Sequence, residues 1–388
     1  MQTSLHKSAG TQRINSLTGA RFTAIMVIVF SHFEFLSQFG QFGEIYTKYF
    51  HNATLGTDFF FMLSGFGMML SSIRQDPEGT ASIGGISGLF HFGKNHIKKI
   101  YSIYIIFLAL GIPYNLLLGY FDYGSSLKSL LLRNLFFFSV DLTLLQSSTG
   151  LILFSHSLNS VCWFLSTLFC IYLVSPIIMQ ILKRKVKTVR NAIILLMASI
   201  LFSYLLAILF SWIEEHSFFT DLCYGSPYRR IFYVIPGMLL AQIYDSYKKE
   251  TSLKQPHFLE SGIFEYFFIV MSIIWFLFRN SYSDLLGNSV YLIDMILVSG
   301  DLFALAISRG VFSRIFANKR MVFLGDISMY IFLVHYNIRK YIDFTRKHLN
   351  LNSLPAALIE VAMILTVSFV ISILIHQAKT KHPISAAH

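Results

Sequence analysis

The sequence predicts an all-α polytopic membrane protein of about ten transmembrane helices. Three observations lead there. Of the 388 residues, 54% are hydrophobic and only 13% charged, about half the charged fraction of a soluble domain. Apolar runs near 20 residues recur along the whole chain, the length needed to cross a bilayer. The net charge of +11 is gathered in short stretches between those runs, as the positive-inside rule expects of cytoplasmic loops. The same placement argues against nucleic acid as a partner.

The N-terminal stretch MQTSLHKSAGTQRINSLTG is polar. It lacks the order of a secretory signal, so the first apolar run is expected to stay as a spanning helix. The runs fall at 17–37, 53–73, 97–119, 161–182, 190–212, 229–247, 263–279, 287–308, 321–342 and 354–376. A further candidate, 127–146, contains Arg133 and Asp141, which suit an interfacial or re-entrant helix better than lipid. Leaving it out of the span count puts Lys94–Lys99, the Lys183–Lys187 run, Lys248, Arg320 and Lys379 on one face with Lys7 and Arg13. Both termini are then cytoplasmic. The cations around Arg339–Lys347 fall on the opposite face and run against this rule. The chain reads as one membrane domain, 1–388, with short cytoplasmic tails at 1–16 and 377–388. Cys162, Cys170 and Cys223 have no metal spacing and form no disulfide framework. No metal site is expected.

Ionisable groups inside these runs are the functional candidates, because they are costly in lipid. In RFTAIMVIVFSH, Arg21 and His32 stand eleven residues apart. That is about three turns, so they share a face about 16 Å apart. Arg21 can be a snorkelling end-anchor and His32 an interhelical hydrogen-bonder. Together they also fit a path with an anion at one end and an imidazole base at the other. Asp58 in GTDFFFMLSGFGMML can orient an imidazole, bind an acceptor hydroxyl, or serve a helix N-terminus. Ser64, Gly65 and Gly67 permit close helix packing. Lys94, His96, Lys98 and Lys99 form a basic collar before the third run, suited to phosphate and equally to positive-inside bias. The loop ahead of it, PEGTASIGGISG, is small enough to fold over a ligand. His335 is the second candidate base. Asp294 and Asp301 are seven apart, on one helix face, and are expected to face partners. No GxSxG or Walker sequence is present.

The order of segments resembles the acyltransferase-3 family of integral membrane acyltransferases. The resemblance runs from about Ile14 to about Tyr336. It rests on INSLTGARFTAIMVIVFSHF, GTDFFFMLSGF, a basic segment ending IKKIYSIY, WFLSTLFCIYLVSP, PGMLLAQIY and FLGDISMYIFLVH. It implies a ten-helix membrane domain. The family's Arg-ten-His spacing falls on Arg21 and His32, implying donor binding by Arg21 and acyl transfer at His32. The family's Arg-x-x-Arg pair before the third helix is replaced by His96 and Lys99. A Glu pair of many members is replaced by Leu168 and Phe169.

The resemblance thus implies a bacterial inner-membrane O-acyltransferase. The implied donor is acetyl-CoA or another acyl-CoA, met by Arg21, His96, Lys98 and Lys99. The implied acceptor is a sugar of a cell-surface or lipid-linked polysaccharide, with His32, Asp58 and His335 as the catalytic set. No tightly bound cofactor is expected. Specificity for the acceptor is expected in the membrane domain or a partner, since no fused hydrolase-like domain follows the last run. A glycolipid transporter or flippase is the rival reading, and an inactive assembly protein on the same scaffold a third. Internal repeats with broken helices would mark the transporter, and none is visible.

Overall fold

A computed structural model describes residues 13–251 and 262–381. Residues 1–12 and 382–388 of the expected tails lie outside these. All regular structure among the described residues is helical. In chain order the helices are α1 (Asn15–Ser31), α2 (Gly40–Tyr49), α3 (Thr54–Gln75), α4 (Gly85–Ala109), α5 (Gly111–Phe121), α6 (Leu127–Asp141), α7 (Ile152–Ser155) and α8 (Trp163–Lys185). There follow α9 (Val189–His216), α10 (Pro227–Thr251), α11 (Ile263–Leu286), α12 (Ser289–Ile307), α13 (Val311–Phe316), α14 (Lys319–His348) and α15 (Leu354–Lys381). Eight helical segments are long and apolar enough to cross a membrane: α2–α3, α4–α5, Ser160–Lys185, α9, α11, α12, α14 and α15. With the shorter apolar α1 and with α10, they coincide with the ten expected runs. The expected C-terminal tail begins later than position 377, because α15 continues to Lys381.

The α6 segment has 15 residues. At about 1.5 Å per residue it is about 22 Å long, too short for a hydrocarbon core of about 30 Å. It packs on α5, with Asn115 donating to Asn134 at 3.0 Å.

Two interfaces fix the centre. In the first, α3 and α10 run parallel in close contact; a Cβ at Gly65 would lie 2.0 Å from the Val234 carbonyl oxygen. Gly65 is thus the packing glycine the sequence offered, whereas a side chain at Gly67 would meet open space. In the second, α1 and α14 run parallel, and a Cβ at Gly325 would lie 1.8 Å from the Thr18 carbonyl oxygen. Only glycine allows backbones this close.

The first helix is shorter than its apolar run. It stops at Ser31, with His32 as its C-cap, and a 3-10 turn carries Glu34–Gln38. The apolar pattern continues through Phe33, Phe35 and Leu36, so composition alone extends the helix to 37. Remote side chains end it. The Tyr46 hydroxyl donates to the Phe30 and Ser31 carbonyls at 3.0 Å, and Arg339 donates to the His32 carbonyl. These satisfy carbonyls that a helix end leaves without partners. His32 therefore sits at a helix terminus rather than within a span.

Candidate active site

The parallel pairing of α1 with α14 builds both ends of the site. At the first end, Arg13 forms an ion pair with Asp326. At the far end, the His32 Nδ1 lies 3.1 Å from the His335 Nε2. His335 is fully buried, and its Nδ1 lies 3.1 Å from the Ile331 carbonyl oxygen. A carbonyl only accepts, so the His335 Nδ1 carries the proton. In a neutral ring the Nε2 is then an acceptor, and the His32 Nδ1–H donates to it. This leaves the His32 Nε2 as a lone pair, and that atom has no hydrogen-bond partner among the described residues. Tyr336 packs edge-on against the His32 ring, with centroids 5.3 Å apart. Arg339 lies over the Tyr336 ring at 4.8 Å and pairs with Glu34 at 2.5 Å.

Asp58 is not part of this pair. Its carboxylate receives Arg230 at 2.5 Å, and both side chains are fully buried. Arg230 also donates to the Tyr224 carbonyl at 2.6 Å. A buried carboxylate takes the strongest donor within reach, and a guanidinium supplies a charge-assisted bond. The expectation that Asp58 orients His32 is therefore corrected: His335 does so. The clue in the sequence was the Arg229–Arg230 doublet at the head of an apolar helix, PYRRIFYVIPG.

At the first end, half-buried Arg21 lines a cavity of about 380 Å3 together with Arg13, Arg74, Leu63, Phe66, Gly67 and Ser71. Arg13 is engaged by Asp326 and by Thr18 at 2.8 Å. Neither Arg21 nor Arg74 has a hydrogen-bond or ion-pair partner among the described residues. His96 packs at a tilt against Tyr172, with ring centroids 5.0 Å apart, and Tyr172 is an electrostatic neighbour of Arg21. One ring thus links His96 to the cavity wall. Lys98 and Lys99 are exposed on α4, and the Lys99 carbonyl accepts from Lys379. The structure does not bring these two lysines into the cavity lining. Sequence reading missed Arg74 and Arg13, which join Arg21 there.

The loop before α4 is pinned rather than free. Asp76 accepts from the Thr80 and Ala81 amides at 3.0 and 3.2 Å and from Lys183 at 3.1 Å. Arg184 donates to the Gly79 carbonyl at 2.8 Å. Desolvation opposes ionisation of Asp76, but the Thr80 and Ala81 amides and the Lys183 ammonium together outweigh it and hold the carboxyl well below the usual carboxylate range.

A family model described as an acyltransferase domain matches residues 14–376. The chain belongs to the acyltransferase-3 family. It is an integral membrane acyltransferase. Comparison with curated proteins and with solved structures gives no match.

Elsewhere in this acyltransferase the buried acids are paired, as their spacing foretold. Asp294 accepts from Arg279 at 2.8 Å and from Trp275 at 2.7 Å. Asp301 accepts from Ser272 at 2.6 Å. The cations around Arg339–Lys347 that strained the charge rule also find acids: Arg346 pairs with Glu360 and Asp343, and Lys347 with Asp343.

Proposed function

We propose that this acyltransferase moves an acetyl group from acetyl-CoA to a hydroxyl of a cell-surface or lipid-linked polysaccharide in the bacterial cytoplasmic membrane. The donor's phosphates would be held at the cytoplasmic end by Arg21 and Arg74, with Arg13 and the His96–Tyr172 pair beside them. Guanidinium groups without carboxylate partners, around a cavity, suit phosphate. The basic Lys183–Lys187 run joins this end through the Lys183–Asp76 pair, which supports placing it in the cytoplasm. The acceptor would meet the far end.

The single observation that carries the reading is the state of the histidine pair. The His32 Nε2 is a lone pair on a ring fixed through its other nitrogen. In the proposed step it takes the acceptor hydroxyl's proton as the oxygen attacks the thioester carbonyl. The C–S bond breaks, and the CoA thiolate receives that proton from His32, leaving a neutral imidazole and an ester. His335 accepts the His32 Nδ1–H throughout and stabilises the transient imidazolium. About 16 Å of helix separates Arg21 from His32, so an extended donor is needed to reach both.

The test is His32→Ala in purified protein. Acetyl transfer should fall by about 10²–10⁴-fold, the usual contribution of a general base, with acetyl-CoA affinity retained. Transfer at the wild-type rate overturns the assignment.

A further inference from the structure

The turns of α14 beyond His335 carry four cations, Arg339, Lys340, Arg346 and Lys347, of which Arg339 and Lys340 follow the histidine within two turns. Three have acids: Arg339 has Glu34, Arg346 has Glu360 and Asp343, and Lys347 has Asp343. The fourth, Lys340, has no carboxylate within ion-pair distance among the described residues. Its ammonium donates to the Leu158 carbonyl at 3.2 Å. It also stands 5.0 Å from the Tyr114 ring centroid and 5.2 Å from that of Tyr336. Its side chain is only partly exposed. A partly desolvated ammonium held by one carbonyl and two ring faces is under-compensated, and Arg339 next door adds like charge.

The ring that Lys340 covers is the ring against which His32 packs. The Tyr336 centroid lies 5.2 Å from the Lys340 ammonium and 5.3 Å from the His32 ring centroid, so both groups adjoin one ring. The Lys340 ammonium thus borders the place proposed for the acceptor. It fits a charge on the acceptor, away from the hydroxyl that reacts.

We infer that the acceptor is anionic: it carries a phosphate or carboxylate within about one sugar unit of the acylated hydroxyl, and Lys340 is the residue that recognises it. Lys340 is a specificity residue rather than a catalytic one. The inference rests on the reading of His32 as the base on the acceptor side.

The experiment compares glycans from cells carrying and lacking the chain by mass spectrometry, then repeats the comparison with Lys340→Gln and Lys340→Arg at matched protein level in the membrane. The expected product bears the acyl group on a residue that is itself charged or directly adjoins a charged one. Fragment masses separate phosphate from carboxylate. Using that acceptor with purified protein, Lys340→Gln should raise the acceptor KM at least tenfold with little change in kcat, and Lys340→Arg should restore most of it. An acylated glycan with no anionic group near the acylated hydroxyl overturns this inference and leaves the transferase reading intact. An unchanged acceptor KM in Lys340→Gln also overturns it. No acylated product from any cell overturns the transferase reading itself, and this inference with it.

Discussion

The two ends of the α1–α14 pair arrange their charged groups differently. At the Arg21 end, two guanidinium groups line a cavity of about 380 Å3 without acidic partners. At the His32 end, Arg339 is neutralised by Glu34, and the reactive ring is held by a second imidazole rather than by a carboxylate. The first end suits the phosphates of the proposed donor. The other keeps a base neutral until a hydroxyl arrives. A carboxylate beside His32 would favour its protonated form, whereas a neutral His335 fixes the tautomer without adding charge.

The largest effect is expected from the buried pair that ties α3 to α10. Asp58 and Arg230 form a fully buried pair. Asp58→Asn should strand a buried guanidinium and cost about 3–5 kcal/mol of stability. Donor binding and transfer should then fail together, and thermal unfolding in detergent should show it. Normal stability with selective loss of transfer would restore Asp58 to the catalytic set.

A smaller effect sharpens the Arg21 end. Arg21→Ala and Arg74→Ala should each weaken acetyl-CoA binding by about 1.5–3 kcal/mol, the worth of a hydrogen bond to a charged group. Arg21→Lys should recover part of it, since charge returns without the fork. Titration calorimetry on purified protein reads this directly. Equal affinity in Arg74→Ala would remove Arg74 from the donor site.

The smallest effect separates the two histidines. His335→Phe deletes one neutral hydrogen bond to His32, worth about 0.5–1.5 kcal/mol. Transfer should fall by about 2- to 13-fold, short of the loss in His32→Ala, with donor affinity unchanged. Equal losses in the two variants would make His335 a base in its own right.

Most of the fold was legible because a spanning helix is written as a contiguous apolar run. The non-spanning α6 was legible through Arg133 and Asp141. The end of α1 was not, because Tyr46 and Arg339 cap it from 15 and 307 residues away. In the site, Arg21 and His32 stood out as ionisable groups flanking an apolar run. His335 was visible as a residue, but its bond to His32 spans 303 residues and only the parallel pairing of α1 with α14 reveals it. The lysine collar attracted attention because its charges are adjacent in sequence. The cavity instead draws Arg13 and Arg21 from around the start of α1 and Arg74 from the last turn of α3, far apart in sequence.

The proposed reaction divides binding and chemistry between the ends of one helix. The most direct measurement is the transfer rate as a function of acetyl-CoA concentration for Arg21→Ala and His32→Ala in the same purified preparation. The division predicts that the Arg21→Ala defect disappears at saturating acetyl-CoA while the His32→Ala defect persists undiminished. An Arg21→Ala rate that stays low at saturation, or a His32→Ala rate that recovers, would contradict it.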